Sequence, residues 1–142
     1  MRSLVAGTDE AGRSCILQEV PIEERGVEFK GPTFRQDVYA LRENPPPPRP
    51  PARSEHHDPG IAPGHADFLV VQMPARVEHP MYHTDTLNFH TILAGSVELV
   101  LDDGPHALEV GDTLVLPGID HGWRTGPKGL TMAVLLLGSA RP

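Results

Sequence analysis

Residues 82–104 read YHTDTLNFHTILAGSVELVLDDG. The later part, TILAGSVELVLDDG, has the make-up of a core strand, with Gly95 as punctuation and Asp102, Asp103 and Gly104 as a hairpin turn. The earlier part, YHTDTLNFH, puts a tyrosine, two histidines, an aspartate and an asparagine in nine residues beside this most apolar stretch. A β-strand sends alternate side chains to one face, so Asn88, His90 and Ile92 share a direction and Phe89, Thr91 and Leu93 take the other. The fold has to give a polar cluster and an apolar core a common surface.

Outward from this stretch the texture repeats. From Ala66 onward come runs of about five to seven residues, DFLVVQMP, HALEVG, DTLVLPG, HGWRT and LTMAVLLLG. Turn signals separate them at Gly111 and Asp112, at Pro117 and Gly118, and at GPKG (126–129). No stretch shows a helical period, and many short strands with frequent glycine turns predict an all-β sandwich or barrel. Upstream, residues 1–43 read as an arm of short strands, SLVAG, SCILQEV and FRQDVYALRE, with little apolar mass. Between arm and core lies a proline-rich connector, residues 44–64, NPPPPRPPARSEHHDPGIAPG. Its consecutive prolines forbid helix and central strand and favour an extended, stiff segment, in which His56 and His57 are solvated. The expected division is an arm over 1–43, a connector over 44–64 and a barrel core over 65–142.

At 142 residues the chain is long enough for one domain with its own core, since about 150 residues bury roughly two thirds of the surface that the unfolded chain exposes. A single cysteine, Cys15, allows neither an intrachain disulfide nor a cysteine-rich zinc cluster, which makes the cytoplasm the expected compartment. The opening MRSLVAGTDEAGR turns polar too early for a secretory signal, and no apolar run approaches the ~20 residues of a membrane span. Twelve basic against nineteen acidic side chains give a net charge of −7, which disfavours nucleic acid and anionic membrane as partners. Ten arginines against two lysines, with 14 glycines and 16 prolines, suggest a GC-rich bacterial genome.

Two segments, HTDTLNFHTILAGSVELVLDDG (83–104) and VGDTLVLPGIDHGW (110–123), resemble the paired motifs of small single-domain bacterial cupins. The first motif of that family has two histidines one residue apart, a glutamate beyond them and a glycine seven residues after it; counted back from Gly95, these positions fall on Met81, His83 and Asn88. The second motif runs from Gly111 and Asp112 to His121, one residue shorter than usual. The TDT run, the LVLDDG turn and Trp123 are shared with a group of cupins in which a histidine often stands two positions before TDT, where this chain has Tyr82. The resemblance covers about half of the chain, from Ala66 to Gly138. It implies a double-stranded β-helix, the jelly-roll barrel, with an N-terminal strand arm.

In that register the Asn88 face looks into the barrel with His90 beside it, and His83, His121 and Trp123 hold positions that point inward in cupins. A cavity of this kind, apolar with a few convergent polar groups, is the default binding site of a small barrel. Three uses stay open. As a metal centre, His83, His90 and His121 would offer three imidazoles to one divalent ion such as zinc, iron, nickel or manganese, with Asn88 as a weak fourth donor. Met81 and Asn88, however, stand where the family has a histidine and a carboxylate. As an acid–base site, His90 or His121 would move a proton, assisted by Tyr82 or Asp85, in isomerase, dehydratase or cyclase chemistry on a small, partly apolar molecule; an iron(II)-dependent oxygenase is the other enzymatic option. As a binding or sensor module, the same groups would hold a ligand unchanged. Asn88, Ile92 and Trp123 are expected against the ligand, no nucleotide cofactor is implied, and Asp85 is alternatively a turn residue.

Other candidates have plainer readings. His65, His79 and His106 stand beside glycine or proline in loop segments and are expected to be solvated, and Asp102 with Asp103 offers too few oxygens for calcium. Small cupins are usually homodimers, and the arm resembles the segment that packs or swaps across their two-fold axis; folding back on its own barrel is the alternative.

Overall fold

A computed structural model describes residues 1–142. The chain forms eleven β-strands and no helix: β1 (Arg2–Thr8), β2 (Ser14–Pro21), β3 (Val27–Lys30), β4 (Thr33–Arg35), β5 (Glu55–His56), β6 (Ala66–Met73), β7 (Glu78–His83), β8 (Thr86–Leu101), β9 (Gly104–Glu109), β10 (Thr113–Leu116) and β11 (His121–Gly138). Nine of them make one curled sheet in the order β2-β1-β10-β8-β11-β7-β5, with β6 on β11 and β9 on β8. The remaining two, β3 and β4, form a separate hairpin. No helix is long and apolar enough to cross a membrane.

Two long strands produce the curl. Gly95 and the GPKG segment predict chain reversals, yet both lie inside continuous strands, β8 and β11, where they act as bends. Gly95 and Gly129 have φ of 76° and 73°, a left-handed conformation that suits glycine. A Cβ on Gly95 would also run into the carbonyl of Gly129, so the two strands cross here backbone to backbone. Because each strand bends, its halves pair with different neighbours. The first half of β11 lies on β7 and the second on β6, while β8 holds β10 along its first half and β9 along its second.

The inner faces meet in a core that includes Leu99, Leu101, Leu108, Leu116, Ile119 and Trp123. Each large side chain buried in this way contributes about 1.5–3 kcal/mol. Leu4 and Ala6 from the arm belong to the same cluster, and β1 runs parallel to β10 with Ser3 opposite Thr113 and Val5 opposite Val115. Within one chain, therefore, the arm folds back on its own barrel.

Three segments differ from the sequence reading. Of the FRQDVYALRE run only Phe34 and Arg35 lie in a strand, β4, and Tyr39 from its irregular remainder sets its ring 5.5 Å from Phe89. Strand β7 was not expected, because EHPMYH contains Pro80 and lacks clear alternation. The connector is no free spacer. Pro46 and Arg49 are buried, β5 pairs in parallel with β7, and the Arg49 and His57 amides donate to the carbonyls of Ala140 and His83, both at 2.9 Å. Proline removes donors, but the arginine, serine and histidine interspersed among the prolines supply enough to dock the segment.

Candidate functional site

A cavity of about 210 Å³ opens inside the curl. Its apolar walls come from β6 and β11: Leu69, Val71 and Met73 point inward while Phe68 and Val70, which alternate with them, face solvent, and Met132 and Val134 extend the same wall as the partners of Val71 and Leu69 on β11. The polar groups come from three strands. β7 contributes Tyr82, β8 contributes Asn88 and His90, and β11 contributes His121 and, on the same face, Trp123.

Four rings pack together here. The Tyr82 and His121 centroids are 4.4 Å apart, His90 lies 5.4 Å from Trp123, and His121 meets Trp123 edge-on at 5.7 Å. The Trp123 indole N–H donates to Tyr82 Oη at 3.0 Å, which leaves the phenolic hydrogen free to donate elsewhere. His121 Nδ1 lies 2.8 Å from the carbonyl oxygen of Ile119. A carbonyl only accepts, so the Nδ1–H is present and Nε2 of the neutral ring carries the lone pair. His90 Nδ1 faces Met132 Sδ at 3.4 Å, a weak acceptor that sets the same tautomer. Its Nε2 and the Oδ1 of Asn88 are buried with no partner.

Burial sets the protonation states. It drives His90 down to about 3, with the neighbouring His121 adding to the effect. It likewise drives His121 down to about 4, against the opposing pull of the Ile119 carbonyl and Asp120. For Tyr82, burial raises the phenol above its ordinary value and the Trp123 hydrogen bond offsets part of the rise. At neutral pH the cavity thus holds two neutral imidazoles and a protonated phenol.

Three expected site residues lie elsewhere. Tyr82 and Thr84 face the cavity, so alternation turns His83 to the opposite side of the strand. There His83 Nδ1 is 3.2 Å from Ser54 Oγ and 3.9 Å from Asp120 Oδ1, with the His56 ring 5.2 Å away. Asp85 lies outside the cavity lining and is a clamp on the connector: it accepts from Arg49 Nε at 2.5 Å, Arg141 Nε at 3.0 Å and His56 Nε2 at 3.0 Å. Burial would raise the Asp85 carboxyl, but those three hydrogen bonds outweigh it and bring it to about 2. Ile92 shares the inward face of Asn88 and His90, yet it belongs to the hydrophobic core and does not line the cavity.

The resemblance implies a divalent ion, and the donors decide whether one fits. With His83 turned away, the cavity offers two imidazole nitrogens and the Asn88 oxygen, without a carboxylate. No three histidine, cysteine or carboxylate side chains are gathered as a ligand group. The residues do not fit the three-histidine centre.

Sequence reasoning missed Asp120, which accepts from the Arg53 and Ser54 amides at 3.0 and 2.9 Å and from the Ser54 hydroxyl, and His57, which closes one side of the cavity. Both act through the docked connector, more than sixty residues from Asp120 in sequence, and no local pattern announces such a contact.

No family model matches the chain. Two curated proteins of Diaporthe leptostromiformis, phomopsin biosynthesis cluster proteins C′ and D, are each 35% identical over 68 residues, covering 46% of this chain and 36% of each relative. The chain therefore spans about a third of the length of the curated relatives it matches. Among solved structures, the DMSP lyase DddQ from Ruegeria pomeroyi DSS-3 is 31% identical with a TM-score of 0.48, over 51% of this chain and 38% of that one. The Cnp3 cupin domain of Schizosaccharomyces pombe is 17% identical with a TM-score of 0.48, over 52% and 56% of the two chains. A cupin-superfamily sugar phosphate isomerase from Silicibacter pomeroyi is 20% identical with a TM-score of 0.45, over 52% and 51%. The curled all-β sheet, its two bent strands and a cavity inside the curl give this chain the cupin fold.

Proposed function

We propose that this cupin catalyses proton transfer on a small, partly apolar molecule, in chemistry of the isomerase, dehydratase or cyclase type. The observation that carries the reading is the juxtaposition, in an otherwise apolar cavity, of a protonated phenol with two neutral imidazoles, of which His121 has its Nδ1 engaged by the Ile119 carbonyl and His90 has a buried Nε2 without a partner.

His121 is the better base of the two. When its Nε2 takes a proton from substrate, the charge that forms is stabilised through Nδ1–H by the Ile119 carbonyl and by nearby Asp120, whereas His90 has only a thioether behind it. Tyr82 supplies the complementary proton. Its hydroxyl donates to the substrate oxygen on which charge develops, and the Trp123 N–H steadies the phenolate left behind. In isomerisation His121 returns its proton to the neighbouring carbon while Tyr82 recovers one from the neighbouring hydroxyl; in dehydration the proton passes from His121 back to Tyr82 once water has left. Asn88 and His90 orient the ligand, and the apolar walls keep bulk water from competing.

The test is deuterium uptake. Small cyclic hydroxyketones incubated with the protein in heavy water are expected to exchange hydrogens next to the oxygenated carbon, as followed by proton NMR. Tyr82→Phe and His121→Gln, each folded by circular dichroism, are expected to slow that exchange by about 10²–10⁴-fold. A ligand that binds and never exchanges in the native protein, or exchange unchanged in both variants, would refute the reading in favour of a holding or sensor module.

A further inference from the structure

We propose that the cavity selects a neutral, ring-sized molecule through a hydroxyl group, which donates a hydrogen bond to an imidazole and accepts one from Tyr82, and that it rejects carboxylates and phosphates. The inference rests on the acid–base reading for the identity of the site and extends it to the class of ligand.

Hydrogen-bond demand comes first. His90 and Asn88 are each only 5% exposed, and His90 Nε2 and Asn88 Oδ1 are acceptors without a donor. A buried polar atom left in this state costs free energy until a ligand or water supplies its partner. The Tyr82 hydroxyl, already accepting from Trp123, has a hydrogen to give. A ligand hydroxyl accepts the Tyr82 hydrogen and gives its own to one of these acceptors. A ketone oxygen satisfies Tyr82 and leaves the acceptors unmet, and a carboxylate does the same while adding a charge.

Charge points the same way. No lysine or arginine lines the cavity, and the open groove of about 480 Å³ that shares its Tyr82 and Trp123 wall carries Glu55 and likewise no lysine or arginine. The guanidinium groups of Arg49 and Arg141 are committed to Asp85, outside the cavity lining. An anion entering the groove would pass a carboxylate and lose its hydration without a counter-charge. Size completes the description: an apolar cavity of about 150 Å³ accommodates benzene, so about 210 Å³ accepts a six-membered ring with a substituent.

The experiment uses one ring with three polar groups: cyclohexanol, cyclohexanone and cyclohexanecarboxylate, titrated at pH 7 by calorimetry and by the fluorescence of Trp123, which is the sole tryptophan and lines the cavity. Cyclohexanol is expected to bind roughly tenfold more tightly than cyclohexanone, the worth of one further buried hydrogen bond, and the carboxylate not measurably. In a His90→Leu/His121→Leu double variant, alcohol and ketone should bind alike. A carboxylate that binds as well as the alcohol, a ketone that matches it in the native protein, or no binding of the alcohol would overturn the inference. The predicted order without deuterium uptake would count against the acid–base reading alone; uptake together with a preference for the carboxylate would count against this inference alone.

Discussion

Between pH 7 and pH 5 the folded chain is expected to lose about 3–4 kcal/mol of stability, because two imidazoles are buried without their protons. His90 and His121 titrate at about 3 and about 4 in the folded chain, against 6.5 when unfolded. Folded values below the unfolded one mean that, as pH falls under 6.5, the unfolded chain binds protons that the folded chain refuses. The stability these burials permit is complete above that value and declines by about 1.4 kcal/mol per imidazole per pH unit until the folded values are reached. His83 is also lowered, chiefly by burial, and acts in the same direction. Asp85 works in a lower window: its contribution is complete above 3.8 and is lost as pH falls through about 2. Urea unfolding at the two pH values measures the loss, and His121→Gln should remove about half of the pH dependence. Equal stability at pH 7 and pH 5 would show that the imidazoles are not held as described.

The Asp85→Asn variant is expected to lose about 2–3 kcal/mol and to loosen the connector. The substitution keeps the side-chain shape and removes the charge that Arg49, Arg141 and His56 share. Arg49 is the costly partner, because its side chain is 8% exposed and would be left as an unpaired buried cation. The partial exposure of Asp85, 20%, keeps the figure below that of a fully buried pair. Thermal melting reads the stability. Trypsin cleavage after Arg53, whose backbone amide is tied to Asp120 when the segment is docked, reads the loosening. If Asp85 merely closes a turn, asparagine serves as well and neither measurement changes.

The barrel was legible because its strands obey local rules. The short apolar run DFLVVQMP identifies β6, though not its inward face because Phe68 and Val70 on the exposed side are apolar too, and the DDG turn falls between β8 and β9 as its composition predicts. Gly95 and Gly129 were legible as special positions but not as bends, since a positive φ serves a reversal or a crossing equally well and only the facing strand decides. Asn88, His90, His121 and Trp123 come together as the strand periods require. His83 does not, because a count carried back from Gly95 has to pass Thr84 and Asp85, which lie between β7 and β8, and one residue of slip moves a side chain to the other face. Tyr82, the residue before it, is the inward one. The roles of Asp85 and Asp120 were not legible, because each depends on where a proline-rich segment docks.

The most direct measurement of the central claim is the nitrogen-15 NMR titration of the histidine side chains from pH 5 to 8, with His90→Gln and His121→Gln used for assignment. The account predicts that both imidazoles stay neutral across the range, protonated on Nδ1 with Nε2 unprotonated, and that cyclohexanol shifts the Nε2 signals. An Nε2–H tautomer on His121, or titration of either ring near the ordinary histidine value of 6.5, would contradict a cavity lined by two neutral, buried imidazoles.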